Sequence, residues 1–306
     1  MKKLGQKAES LTELKKKGLF KQNLLILRNL PPKDKLFAEL LDAGFTNGDR
    51  MGVRFSSANR TINLPRSVII KSFEEIYQFI SEKITPKLVA IVQGFVTAKY
   101  SGTFVKNSGI YYMSIINGVW ESESAKSCDN VIISGSKAKM QISVAPKTCL
   151  FENGSVLEKR IVRNNPEDLI ADIKNLWQKI KKFDWDDDIL YEFFIMPDGN
   201  FTIMEFKKTC HFSNFNFDSD KHNLFEVESF ADLRSWNGKQ DILLLTTLAR
   251  GDDETEFFRI INKIKEHKNL VYVKYGICSH PAIILREQGL KAVPYSPSFK
   301  IFEEEI

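Results

Sequence analysis

The 306-residue sequence lacks the features that assign many proteins quickly. It has no apolar run of about 18 residues, so no membrane-spanning helix is expected. The basic opening, residues 1–20, lacks the apolar stretch of a secretory signal. Its cysteines, at positions 128, 149, 210 and 278, form no CxxC pair and no metal-ligand spacing. These absences favour a cytoplasmic protein with reduced thiols.

The sequence also lacks a P-loop, since nothing matches GxxxxGK[ST]. The net charge of +5 is small and spread along the chain. Lys15, Lys16 and Lys17 are interpreted as a solvated helix face rather than a patch for nucleic acid. We therefore expect neither a nucleic acid nor a membrane as partner.

The apolar pattern predicts a large mixed unit over residues 1–208. Helices are expected at 7–18, 34–43, 73–83 and from Asn165-Pro166 onward, where Asn165 caps and Pro166 suits the first turn. A buried strand is expected at 88–97, followed by a β-rich stretch to about residue 162. The turn Pro197-Asp-Gly-Asn200 predicts a β-hairpin, with ILYEFFIM before it and FTIMEFK after it.

A second, smaller unit is expected at residues 240–306, after a connector at 209–239. From residue 240 the pattern alternates strand, helix, strand, helix and strand, which is typical of α/β architecture. Glu303, Glu304 and Glu305 are interpreted as a solvated tail. The predicted fold class is α/β (α+β), with two domains.

Among the four histidines, His280 has the most informative position. It follows a predicted strand at 269–275 and opens a helix that ends at Gly289. The free N–H groups and positive dipole end of a helix disfavour a cationic imidazole and favour an attached phosphate. This placement suits a histidine nucleophile for phosphate. The alternative is a histidine that only caps or packs at the helix start.

The predicted hairpin brings two carboxylates face to face. If Met196 pairs with Phe201, Glu192 lies opposite Glu205, and such a pair repels unless a cation lies between them. Mg²⁺ is the natural candidate, because it binds one or two carboxylates together with nucleotide phosphate oxygens. Lys207 falls on the same face. The alternative is an exposed hairpin face on which Lys207 offsets one acid.

Two basic residues lie where an anion would be gripped. Lys7 opens the first helix, and Arg54 lies in the apolar segment Val53-Arg-Phe-Ser56-Ser57, where a bare charge is costly. Taken singly, each also suits a surface or salt-bridged base.

In their order, these segments resemble the ATP-grasp dikinases with a swivelling phosphohistidine domain, such as phosphoenolpyruvate synthase, pyruvate phosphate dikinase and rifampicin phosphotransferase. The segment from Gly276 through Ser279-His280 to Arg286-Glu287 and Val293 is similar to the family's GGxxSHxAIxxRExGxPAV motif. The opening from Leu4 to Leu14 is similar to GGKxxSLxEL. The resemblance covers about residues 1–208 and 240–295.

Shorter segments carry the rest of the resemblance. Those similar to VRSS, VQxMV, SGVxFT, GLGE and DIEW-LQARP contain Arg54, Gln93, Ser101-Gly102, Glu121, Glu192, Glu205 and Lys207. The chain departs from the family at Tyr275 for the first Gly, at Glu205 for Gln and at Lys207 for Arg. It also has an inserted Phe55, a short swivel unit and no acceptor domain.

The resemblance implies an ATP-grasp nucleotide-binding domain followed by a phosphohistidine swivel domain. Bound ATP would contact Lys7, Arg54, Gln93, Glu121 and Lys207, with Mg²⁺ on Glu192 and Glu205. In the motif, Ser279, His280 and Arg286 occupy the catalytic positions.

The implied activity is phosphorylation of His280 by ATP, with release of AMP and phosphate, followed by transfer to a small-molecule acceptor. The glutamine kinases, which pair the same two modules, are one such type. Three alternatives stay open: a phosphocarrier subunit that acts on a partner protein, a non-catalytic nucleotide-binding or regulatory protein, and an ATP-grasp ligase that forms acyl phosphates and ADP.

Overall fold

The structure, a computed structural model, describes most of the chain. The described residues are 4–59, 64–65, 67–119, 128–153, 156–163, 165–208, 224–244, 254–266, 271–273, 276, 278, 282, 285–286, 288–295 and 299–306. No helix within these ranges is long and apolar enough to cross a membrane.

The helices of the described chain lie close to the predicted positions. They are α1 (Gln6–Lys16), α2 (Lys33–Asp42), α3 (Phe73–Lys83), α4 (Pro166–Ile180) and α5 (Glu254–Lys265). The start of α4 is confirmed, because Asn165 accepts a hydrogen bond from the Glu167 N–H and Pro166 follows it. The apolar stripe of α4 is buried from Leu169 to Ile180.

The strands fall into an antiparallel majority and a short parallel set. The first ten are β1 (Leu24–Leu27), β2 (Met51–Ser56), β3 (Val68–Ile70), β4 (Val89–Gly94), β5 (Tyr100–Asn107), β6 (Ile110–Asn117), β7 (Asp129–Ser134), β8 (Lys137–Ser143), β9 (Lys147–Asn153) and β10 (Val156–Val162). The others are β11 (Ile189–Ile195), β12 (Phe201–Lys208), β13 (Phe225–Val227), β14 (Ile242–Leu244), β15 (Val271–Val273), β16 (Ala292–Pro294) and β17 (Phe299–Glu305).

Two antiparallel sheets make up the larger part of the fold. A four-stranded sheet has the order β1-β4-β2-β3, and a seven-stranded sheet has the order β12-β11-β5-β6-β7-β8-β17. Strands β9 and β10 form a separate hairpin. Helix α1 contributes Ala8, Leu11 and Leu14 to the same apolar core as Phe193 and Ile203 of the large sheet. This packing places the first turn of α1 near β12.

The small unit contains the parallel sheet, with the order β13-β14-β15-β16. The parallel pairing confirms the alternating α/β pattern expected from residue 240 onward. Strand β13, however, lies within residues 209–239, which were expected to form only a connector. It pairs in parallel with β14, so this part of the interval belongs to the sheet.

The C-terminal glutamates do not form a solvated tail. Residues 299–305 are strand β17, which pairs antiparallel with β8 of the large sheet. Glu304 contacts Lys174 of α4 at 2.8 Å, and Glu303 contacts Lys139 at 3.9 Å. The prediction was wrong because these charges belong to an edge strand, where acidic side chains are tolerated.

Candidate functional site

Side chains from four separate elements meet at Glu205 of β12. The Lys7 Nζ of α1 lies 3.8 Å from Glu205 Oε2, and the Arg54 Nη1 of β2 lies 4.0 Å from the same oxygen. Glu192 of β11 is the Cα partner of Glu205. All four of these positions were expected at an ATP or metal site, Lys7 and Arg54 for phosphate and Glu192 and Glu205 for Mg²⁺, and the fold brings them together.

The opposition of Glu192 and Glu205 is confirmed, although the expected path to it is wrong. Phe201 pairs with Ile195 and not with Met196, because the loop spans Met196–Asn200. A register shift then leaves Met204 unpaired, and this bulge brings Glu205 back opposite Glu192. The longer loop shifts the pairing by one residue and the bulge shifts it back by one, so Glu192 and Glu205 are paired as expected.

The surroundings of Glu205 disfavour its charged form. Burial and the neighbouring Glu192 raise the pKa of Glu205, while Lys7, Arg54 and Lys207 act in the opposite direction. Only 15% of the Glu205 side chain is exposed, compared with 34% for Lys7 and 24% for Arg54. The two bases therefore offset the charge of a largely buried carboxylate, while they themselves remain partly exposed to solvent.

A glycine allows the start of α1 to reach β2. Gly5 has a φ of 78°, and a Cβ at this position would lie 2.4 Å from the Ser57 carbonyl carbon. The Ala8 N–H also donates a 3.4 Å hydrogen bond to the Ser56 hydroxyl. Since only glycine combines a positive φ with so close a backbone approach, Gly5 brings Lys7 beside Arg54.

Gln93 of β4 offers an unmet hydrogen-bond acceptor. Its Cα partner is Gly52, two residues before Arg54, so by alternation Gln93 and Arg54 lie on one face of their sheet. The residue is 8% exposed, and its Oε1 accepts no hydrogen bond from the described residues. A buried amide oxygen without a donor is costly, so a ligand donor would be favoured there.

A row of polar side chains crosses the large sheet from the same carboxylate pair. Each member is the Cα partner of the next. This polar row consists of Glu205, Glu192, Thr103, Ser114, Asn130 and Gln141. Its members share one face of the sheet, because side chains of directly paired residues point the same way.

The small unit lies against this row. The Cys278 N–H donates a 2.9 Å hydrogen bond to the Ser114 hydroxyl, and the Cys278 carbonyl accepts one of 3.5 Å from Thr103. Ser279 and His280, which follow Cys278 directly, lie outside the described residues, as does Glu121. Thr103 is the Cα partner of Glu192, so the described end of this loop is one strand away from the carboxylate pair.

Arg286 and Lys207 complete the predicted set. Arg286 is buried and donates a 2.6 Å hydrogen bond to the Ala292 carbonyl within the small unit, and burial lowers its pKa to about 10. Lys207 follows Glu205 by two residues on β12 and is half-buried. Its positive charge is among those that favour the charged form of Glu205 and lower its pKa.

The carboxylate pair fits a divalent cation. Glu192 and Glu205 face each other, and Glu192 contributes to the raised pKa of Glu205, so a bound cation would relieve a repulsion that the protein already contains. Within the described ranges, no group of three or more His, Cys, Asp or Glu side chains gathers for a metal. Water and phosphate oxygens would have to complete a Mg²⁺ shell, as is usual for this ion.

Sequence reasoning missed a buried ion pair and most of the polar row. Lys147 Nζ lies 2.5 Å from Asp129 Oδ1, and both side chains are at most 3% exposed. Removing one partner would leave an uncompensated buried charge, so the two residues depend on each other. These residues carry no recognisable motif, and only the strand register shows that they are neighbours.

The comparisons with known proteins give a weak likeness. No family model and no curated protein matches the chain. Among solved structures, the D-alanine-D-alanine ligase from Coxiella burnetii has 12% identity and a TM-score of 0.37, covering 67% of this chain and 48% of its own. Carboxyaminoimidazole ribonucleotide synthase from Aspergillus clavatus, complexed with ATP, has 17% identity and a TM-score of 0.38, covering 66% of this chain and 44% of its own.

Both of these proteins are ATP-grasp enzymes. The chain spans about half the length of the structures that it matches. At such low identities and TM-scores, the likeness assigns neither a family nor an activity to this chain.

Proposed function

We propose that the chain is an ATP-dependent phosphotransferase with an ATP-grasp nucleotide-binding part and a phosphohistidine-bearing small unit. ATP and water would yield AMP, inorganic phosphate and a phosphoryl group on a nitrogen of His280. That group would then pass to a small-molecule acceptor. Each step conserves the phosphoryl groups, and water accounts for the released phosphate.

The observation that carries this proposal is the meeting of Lys7, Arg54 and Glu192 at Glu205. These residues are far apart in sequence, and the resemblance to the dikinases singled out each of them for ATP or metal. Two partly exposed bases beside two carboxylates suit a nucleotide phosphate and its cation. A purely structural ion pair would not need a second carboxylate opposite the first.

Each residue of the charged cluster would have a distinct role. Lys7 and Arg54 would move from Glu205 to phosphate oxygens when ATP binds, and Lys207 would add positive charge on the same side. Glu192 and Glu205 would hold Mg²⁺, which would neutralise charge on the phosphate oxygens. Gln93 would use its free Oε1 to accept a hydrogen bond from the nucleotide, and Glu121 would line the same cleft.

The position of Cys278 supports His280 as the phosphate carrier. Two residues of chain span at most about 7 Å, so a phosphate carrier at position 280 would be within about 7 Å of Cys278, whose carbonyl accepts from Thr103. Thr103 neighbours Glu192, and Glu192 neighbours Glu205. On this proposal His280 would act in the region of the proposed nucleotide site, with Ser279 next to it in the chain and Arg286 farther along the small unit.

The decisive experiment incubates the protein with ATP labelled at the β-phosphate. Acid-labile, base-stable label on the wild-type protein, absent from His280→Asn and present in His267→Asn, is the expected result. The His280→Asn variant should still bind ATP. Retention of the label in His280→Asn would contradict the assignment of the carrier.

Product analysis separates the other functions. Formation of ADP without labelled protein would identify an acyl-phosphate ligase instead. Binding of ATP without any turnover would identify a nucleotide-binding regulatory protein. If label forms but no amino acid or sugar accepts it, the acceptor would be a partner protein.

A further inference from the structure

The uncharged end of the polar row forms one continuous chain of hydrogen bonds. Ser114 donates to Asn130 Oδ1 at 3.2 Å, and Asn130 Nδ2 donates to Gln141 Oε1 at 3.0 Å. At one end the Cys278 N–H donates to Ser114, and at the other Gln141 Nε2 donates to the Pro294 carbonyl at 3.3 Å. The chain therefore begins and ends on the backbone of the small unit and runs through three strands of the large sheet.

Every donor in this chain has an acceptor in a region without solvent. Ser114 and Asn130 are 0% exposed, and Thr103 and Gln141 are 3% exposed. Breaking one link leaves a buried polar group unpaired on each side, so the links support one another. Such an arrangement fixes the small unit in one register, whereas an apolar face alone would tolerate sliding.

A glycine makes the close contact possible. A Cβ on Gly276 would lie 2.7 Å from the Ser114 hydroxyl oxygen and 2.9 Å from the Cys128 Cβ. Residue 276 must therefore lack a side chain for the loop to reach the sheet. The thiol of Cys278, buried in the same contact, donates to the Tyr112 carbonyl at 3.3 Å.

We infer that Thr103, Ser114, Asn130 and Gln141 form a docking surface that seats the loop leading into Ser279-His280 at a fixed distance from Glu192. Thr103, Ser114 and Gln141 contact the backbone of the small unit, and Asn130 joins Ser114 to Gln141. These four are therefore positioning residues, since they contact no substrate. The catalytic consequence rests on the proposed function, but the docking itself does not. Because the surface carries no charge, water can replace its hydrogen bonds when the small unit separates.

The test uses the protein's own thiols as reporters. In Ser114→Ala and in Gly276→Ala, alkylation of Cys278 and Cys128 in the folded protein should rise about tenfold, the size expected when a buried N–H loses its acceptor. Cys149, which is buried in β9, serves as an internal control whose rate stays constant. Rates are read by mass spectrometry of the peptides below the melting temperature of each variant.

A matched variant separates docking from general loss of stability. The Ser101 hydroxyl on the same strand as Thr103 is 0% exposed and donates to the Gly118 carbonyl at 2.6 Å, within the large part of the fold. Ser101→Ala removes a buried hydrogen bond without touching the small unit, so protection of Cys278 should persist. Unchanged thiol protection in both Ser114→Ala and Gly276→Ala would overturn the docking surface.

Positioning is read from the phosphoenzyme. At saturating ATP the labelling rate of His280 should fall in Ser114→Ala and Gly276→Ala, while ATP affinity is unchanged. An unchanged labelling rate with exposed thiols would refute the positioning role. If the wild type never labels His280 but the thiols respond as expected, the docking surface stands and the phosphotransfer proposal fails.

Discussion

The two ends of the polar row use different chemistry in one strand register. At the charged end, Glu205 and Glu192 repel each other and are offset by bases from other elements. At the uncharged end, Ser114, Asn130 and Gln141 hydrogen-bond to one another and to the backbone of the small unit. An unbalanced cluster favours binding a ligand, whereas a satisfied one favours a fixed contact between parts of the fold.

This difference predicts that variants at the two ends separate ligand binding from stability. A change at the charged end should alter affinity for ATP and Mg²⁺, and loss of a carboxylate there should not lower stability. A change at the uncharged end should lower stability and leave affinity intact. A variant that lowered ligand affinity and folding stability to the same extent would contradict this difference between the two ends.

The largest effect on ligand affinity is expected from Arg54→Ala at the charged end. Loss of one guanidinium from a phosphate site should weaken ATP binding about tenfold to a hundredfold, the range for a hydrogen bond to a charged group. Isothermal titration calorimetry measures it. Lys33→Ala removes a surface base that pairs with Glu74 and provides the matched control. Unchanged ATP affinity in Arg54→Ala would show that Arg54 does not bind a phosphate of ATP.

At the uncharged end, Asn130→Ala should destabilise the fold. Both Ser114 and Gln141 lose their shared partner, and leaving buried polar groups unsatisfied costs about 1–3 kcal/mol each. Urea unfolding gives the loss in free energy, and ATP affinity should stay at the wild-type value. A fully stable Asn130→Ala protein would show that water enters the row freely.

The raised pKa of Glu205 predicts a pH dependence at the charged end. The folded protein holds the proton on Glu205 more tightly than the unfolded chain, so wild-type stability is lost as pH rises from the ordinary value of 4.5 through the raised one. In Glu205→Gln this loss is absent. The melting temperature of the variant, relative to wild type, should therefore increase from about pH 4 to neutrality.

Glu192→Gln refines the same experiment. Burial would still raise the pKa of Glu205, but the contribution of the Glu192 charge would be gone, so the pH dependence should lie between those of wild type and Glu205→Gln. The same variant should weaken the dependence on Mg²⁺. A Mg²⁺ titration identical to that of wild type would show that Glu192 is no ligand.

Local signals allowed much of the fold to be predicted. The cap at Asn165 and the stripe of α4 lie within one element, and α3 matches its expected range of residues 73–83. The pairing of Glu192 with Glu205 was also predicted correctly, although the predicted pairing at the turn was wrong. The bulge at Met204 offsets that error by one residue. A bulge follows from the packing of the whole sheet, which the hairpin sequence does not contain.

Long-range pairing accounts for what sequence reasoning missed. Strand β17 pairs with β8, about half the chain away, and its three glutamates resemble a tail more than a strand. The uncharged end of the polar row also depends on how the strands pair. Thr, Ser, Asn and Gln usually indicate exposed positions, and only the register places these four on a covered face.

The smallest effect is expected from Glu304→Gln, which compares an exposed ion pair with the buried carboxylate. Lys174 and Glu304 approach to 2.8 Å, closer than the 3.8 Å between Lys7 and Glu205, yet their side chains are 38% and 31% exposed. Solvent screening limits such a pair to less than about 1 kcal/mol, so urea unfolding should show a small loss that salt abolishes. A larger, salt-resistant loss would mean that β17 is held by charge. In that case burial would not explain the difference in energy between the Lys174–Glu304 pair and the charges around Glu205.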